Sequence, residues 1–125
     1  MAVTYTNAVK NARMDAVTTQ AGTTAVLEIG TASMASILAS FTLNNPIAAA
    51  ASGAGVLTLS GFPKNATAGA TGTAAAARIR TATVGTDIVT GLTVGTSGTD
   101  VVLDSVSITS GQTVTLSSAT ITHAT

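Results

Sequence analysis

Residues 78–122 alternate short β-branched runs with Gly, Ser and polar turns, and this alternation limits what the chain can fold into. The runs are Arg78-Ile79-Arg80, Ile88-Val89-Thr90, Val101-Val102-Leu103, Val106-Ser107-Ile108 and Val114-Thr115-Leu116. Gly85, Gly91, Gly95, the turn Thr96-Ser97-Gly98-Thr99 and the pair Ser110-Gly111 separate them. Such runs at near-regular spacing point to a small all-β sandwich or barrel.

The upstream sequence continues the pattern. Strands are expected over residues 25–30, 37–44, 56–60 and 73–84, then 88–94, 100–103, 106–108 and 113–122. A strand count near eight suits an all-β, two-sheet antiparallel sandwich with jelly-roll or related Greek-key winding. Side chains alternate across a strand, so Leu27 and Ile29 share one face while Val26 and Glu28 share the other. That reading sends Glu28 to solvent. Phe41 and Leu43 are expected to face inward, and Leu57 and Leu59 to share one face. Residues 31–36 read as a loop or helical turn, and Pro46 ends the preceding strand because it lacks the ladder donor. Residues 61–72 read as the longest loop, anchored by the Phe62 ring. The run Ala74-Ala75-Ala76-Ala77 is ambiguous, but the Arg78-Ile79-Arg80 alternation favours strand.

One helix is expected, over residues 5–21. Thr4 or Thr6 can cap it, and Gly22 suits its C-terminal end. Val9, Ala12, Ala16 and Val17 recur at helical spacing as its apolar stripe. The chain therefore divides into an N-terminal helical segment, residues 1–24, and a β-sandwich domain, residues 25–125. Two readings of the helix stay open. It packs on the edge of the sandwich, or it is an arm that serves partner contact more than the fold, with Lys10 and Arg13 placed to meet acidic groups.

Composition bears on the core and the surface. Hydrophobic residues make up 46 % of the chain but aromatics only 2 %. The core must be built from Ala, Val, Leu and Ile, with Phe41 and Phe62 as its large pieces. Small side chains bury little area each, so such a domain gains by oligomerising or docking. Charged residues are 8 % of the chain, five basic against five acidic. A surface so poor in charge is either made of Thr and Ser or covered by partners. A net charge of zero argues against nucleic acid and against anionic membrane as partners. There is no Cys, hence no disulfide framework. The N-terminal residues lack the long apolar region of a signal peptide. The apolar run at residues 47–51 is too short to span a bilayer.

Catalytic and metal-binding patterns are not in evidence, and no enzyme activity, cofactor or metal site is expected. His123 is the lone His, close to the C-terminus, and a Ser–His–Asp triad would have to recruit it. Asp100 and Asp104 lie apart along a strand and serve turns more readily than a cation. No Gly-rich turn leads into Lys-Ser/Thr and a helix, so a phosphate loop is absent. One Tyr and two Phe do not furnish stacking platforms for single-stranded nucleic acid. The residues suited to meet a protein partner are Lys10 and Arg13 on the helix, Phe62 and Lys64 in the long loop, and Arg78 and Arg80. The last two share a strand face, either solvated or set against a partner carboxylate.

Two stretches carry a family likeness. The first is the segment from Asn7 to Val17 with Ala21-Gly22 and the strand Val26-Leu27-Glu28-Ile29. The second is Val94-Gly95-Thr96-Ser97-Gly98-Thr99-Asp100-Val101-Val102-Leu103, followed by Ile108-Thr109-Ser110-Gly111-Gln112-Thr113-Val114 and Ala119-Thr120-Ile121-Thr122. With Ala51-Ser52-Gly53 before Val56-Leu57-Thr58-Leu59, the chain resembles the small β-rich proteins encoded among the head genes of tailed bacteriophages. Some of these are jelly-roll-like capsid cement, or decoration, proteins. The resemblance implies a structural virion protein on the capsid exterior, made in the host cytoplasm. Its partner would be the major capsid protein, and it would act as a homo-oligomer, dimer or trimer. An alternative is a tail or fibre module recognising a host receptor or glycan, a role that calls for exposed aromatic residues.

Overall fold

A computed structural model of the chain describes residues 5–45, 47–48, 50–53, 55–82 and 85–122. The expectations that rest on Thr4, Pro46, Val84 and His123 fall outside the described residues. The described chain is an all-β domain with two main sheets and one N-terminal helix.

The helix α1 spans Asn7–Ala21, and the Thr6 hydroxyl accepts from the Val9 amide at 3.4 Å to cap it. Gly22 follows at φ +71°, a backbone region that glycine enters without a Cβ penalty. The strands are β1 Val26–Gly30, β2 Ile37–Thr42, β3 Val56–Thr58, β4 Lys64–Thr67, β5 Gly72–Thr73 and β6 Ala76–Arg80. They continue with β7 Asp87–Leu92, β8 Val94–Gly95, β9 Val101–Leu103, β10 Ser107–Ile108 and β11 Thr113–Thr122. A short 3-10 turn, Ala32–Met34, links β1 to β2.

One sheet has the order β2-β1-β6-β7. The other has the order β3-β11-β9-β8, with β4 pairing the first half of β11 while β3 pairs its last residues. β5 and β10 form a separate two-stranded piece. Pairing is antiparallel except between β8 and β9, which run parallel, so the expectation of an antiparallel sandwich needs that correction. The cause is local. The Thr93 amide donates to Asp100 Oδ2, and the Asp100 amide donates to Thr93 Oγ1, which closes the loop and brings β9 back in the direction of β8.

Three other expectations change. Lys64-Asn65-Ala66-Thr67, expected in a loop, is a strand; its backbone pairs with β11, and only Ala66 packs toward the core. The expected strand over residues 73–84 is split, because the chain changes partner after Ala74: the Ala74 amide still bonds the Val106 carbonyl beside β10, whereas the Ala75 amide bonds the Gly30 carbonyl of β1. β11 carries a bulge between Leu116 and Ser118. The bulge inserts a residue and moves the inward positions from Val114 and Leu116 to Ala119 and Ile121.

The core is one cluster. Leu27, Ile29, Phe41, Ala77 and Ile79 from the first sheet share it with Leu57, Leu103, Leu116, Ala119 and Ile121 from the second. Leu57 and Leu59 are both buried, as their shared face suggests. The helix packs against β3 of one sheet and β7 of the other. Its buried residues are Met14 and Ala21, with Val17 packed beside them.

The expected apolar stripe is thus largely on the wrong side. Val9 is 43 % exposed, and Ala12 and Ala16 are exposed too. The reason is polar. Asn11 Oδ1 accepts from the Gly55 amide at 3.0 Å, and Asp15 Oδ1 accepts from the Ala51 amide at 2.7 Å. Those bonds satisfy loop amides that would otherwise be lost to water, and they turn the Asn11–Asp15 side of the helix inward.

Candidate functional site

Four of the chain's ten charged side chains meet on the outer face of the first sheet: Glu28, Arg78, Arg80 and Asp87. Strand parity puts them there. Leu27 and Ile79 are cross-strand partners on the inner face, so Glu28 and its partner Arg78 occupy the outer one. Glu28, expected in solvent, is only 4 % exposed. The long side chains of Arg78 and Arg80 lie over it and replace water, as amphipathic stems can.

Arg78 Nε donates to Glu28 Oε1 at 2.7 Å, and Arg80 Nη1 stands 3.8 Å from the same oxygen. Arg80 Nη2 donates to the Gly85 carbonyl at 2.6 Å. Arg80 Nε lies 2.9 Å from Asp87 Oδ1, within ion-pair distance, but its buried N–H is not aimed at that oxygen and makes no hydrogen bond. The cluster is electrically balanced, with two guanidinium groups against two carboxylates. The carboxylates that Arg78 and Arg80 meet here belong to their own chain.

Beside the cluster lies an open cleft of about 480 Å³. Ser33 and Met34 form one wall, Ala76 and Arg78 the floor, and Thr90 and Leu92 the other wall. Ser33 and Met34 hold φ values of 59° and 58°, costly for residues with a side chain. Thr31 imposes the turn: its carbonyl accepts from the Met34 amide, and its hydroxyl accepts from the Ser36 amide. The Met34 side chain then lies against Gly30, where a Cβ would run into the Ser36 carbonyl. The cleft offers hydroxyls, a thioether and a guanidinium, which is equipment for binding.

The other residues suggested for partner contact lie elsewhere. Arg13 is exposed on α1 and stacks over the Tyr5 ring at 4.7 Å from its centroid. Lys10 is half-buried on the neighbouring side of the helix. Phe62 packs against the core, and Lys64 Nζ sits 5.8 Å from its ring centroid while donating to Asn44 Oδ1 at 2.8 Å. The fold thus brings together Arg78 with Arg80, and Phe62 with Lys64, and leaves the helix pair apart.

Asp100 and Asp104 each accept from a backbone amide, Thr93 and Thr115 respectively, and so fasten turns. No group of three or more His, Cys, Asp or Glu is placed to hold a metal among the described residues. No helix among them is long and apolar enough to cross a membrane.

Sequence reasoning missed the roles of Asn11, Asp15, Asp87 and the centre of the cluster, Glu28. A usable signal existed for Glu28. It is an acid between two apolar inward residues, and Arg78 and Arg80 flank Ile79 in the same parity. Comparison with family models, with curated proteins and with solved structures gave no match for this chain.

Proposed function

We propose that the chain is a structural protein of a tailed-phage virion, binding the outer capsid surface as a homo-oligomer and bridging neighbouring major capsid subunits. The observation that carries this reading is the orientation of α1. Its polar residues Asn11 and Asp15 are spent on the domain, while Val9, Ala12 and Ala16 are turned outward. A row of apolar and small side chains on a rigid helix lets another protein approach closely, and Arg13 borders the row. The resemblance of residues 7–17 and 94–122 to head-gene β-rich proteins supplies the class of partner. On this reading the winding is jelly-roll-like. β1–β2 and β6–β7 enter one sheet, while β3, β4, β8, β9 and β11 enter the other, in alternation along the chain.

The role is mechanical rather than catalytic. Each contact is small, but many copies on one shell act together, so modest individual affinities suffice. Imaging of purified virions tests the proposal. Density for this chain distributed over the head is expected, and density confined to the tail overturns it in favour of a receptor-binding module.

A further inference from the structure

We infer that a polar cleft between β2 and β4 is a carboxylate-binding site, receiving the acidic side chain of a partner protein. The cleft measures about 380 Å³. Ser40 and Thr42 of β2 line one side, Lys64 and Asn65 of β4 the other, and Gly61 and Pro63 close the end. None of these residues is acidic. Lys64 has no carboxylate within salt-bridge distance among the described residues, whereas Arg78 and Arg80 are both matched within the chain.

The donor inventory points the same way. Lys64 Nζ uses one of its three N–H groups on Asn44 Oδ1. Asn65 Oδ1 is occupied as an acceptor for the Thr115 hydroxyl at 2.9 Å, which leaves the amide NH₂ of Asn65 without a partner among the described residues. The Ser40 and Thr42 hydroxyls line the same cleft and can donate; Glu28, the cross-strand partner of Ser40, is already matched by Arg78, so Lys64 supplies the cleft's unmatched charge. One ammonium with neutral donors matches a monoanionic carboxylate better than a phosphate dianion, which would be left half-compensated.

The geometry is also built. β4 is held against β11 through its backbone, and the Lys64 side chain is held by Asn44 and the face of Phe62. Gly61 adopts φ +84°, and a Cβ there would collide with the Asn44 amide, so the approach of this corner requires glycine. A uronic acid of a glycan carries the same carboxylate. Protein is favoured, because the half-buried Phe62 ring is packed against the core with Lys64 Nζ 5.8 Å from its centroid, which leaves little open face for a sugar to stack on.

Nitrogen–proton correlation spectra of the full chain, titrated with N-acetyl-glutamate N-methylamide, test the site. Amide shifts are expected at Ser40, Thr42, Lys64 and Asn65, with a dissociation constant on the order of millimolar. The glutamine counterpart should bind about tenfold more weakly, and Lys64→Met should abolish the shifts. Equal binding of the glutamine compound overturns the carboxylate assignment. Shifts that persist in Lys64→Met overturn the role of Lys64. Tighter binding of glucuronate than of the glutamate compound overturns the protein source in favour of a glycan. Should Lys64→Met fail to fold, the pair Thr42→Val and Asn65→Leu keeps Lys64 in place and is expected to weaken binding about threefold or more. Unchanged binding in that pair overturns the site.

Discussion

Glu28 accepts a 2.7 Å hydrogen bond from Arg78 Nε on the adjacent strand, and this bond lets a carboxylate sit at 4 % exposure on a sheet face. A carboxylate so placed is tolerable only if paired. Arg78→Met is therefore expected to destabilise the domain by about 2–4 kcal/mol, on the low side for a broken buried pair because the Arg78 side chain keeps 22 % exposure. Glu28→Gln should cost less, since the two guanidinium groups it releases can reach water. The double variant should cost less than the sum of the two singles, by about 1 kcal/mol or more. Urea unfolding of the four proteins measures the cycle, and strict additivity would show that the pair is not coupled.

The fastening of α1 to the loop before β3 gives a second expectation. Asp15→Ala should cost about 1–3 kcal/mol, because it leaves the Ala51 amide without its charged acceptor. Amide exchange at Ala51 should quicken in that variant, and exchange at Gly55 should quicken in Asn11→Ala. Val9→Ser, on the outward side, should stay within about 0.5 kcal/mol of the parent. A stability loss at Val9 as large as at Asp15 would show that the helix packs the other way round.

The core supplies a third. Leu57→Ala and Leu59→Ala should each cost about 2–5 kcal/mol, as deletions of buried leucine do. Met14→Ala should fall in the same range of about 2–5 kcal/mol, since Met14 belongs to the same cluster as the strands. Thermal or denaturant unfolding reads all three. A negligible cost at Met14 alone would show that the strands close their core without the helix.

Much of the architecture was already legible in the order of residues. The alternation of Leu27 and Ile29 against Val26 and Glu28, the turn glycines and the Thr6-to-Gly22 helix follow from local sterics and periodicity, which depend on near neighbours alone. Which strand met which did not. That Arg78 lies across from Glu28 and that Lys64–Thr67 pairs at all are decided by contacts about fifty residues apart in sequence, and the slip of β11 at its bulge by its pairing with the separate strand β9. The helix makes the same point. Periodicity offered Val9, Ala12 and Ala16 as the inward face, but two backbone amides of a distant loop needed acceptors, and Asn11 and Asp15 supplied them. A stripe of small residues buries too little area to outweigh two satisfied hydrogen bonds, so tertiary structure set the facing that the pattern alone had pointed the other way.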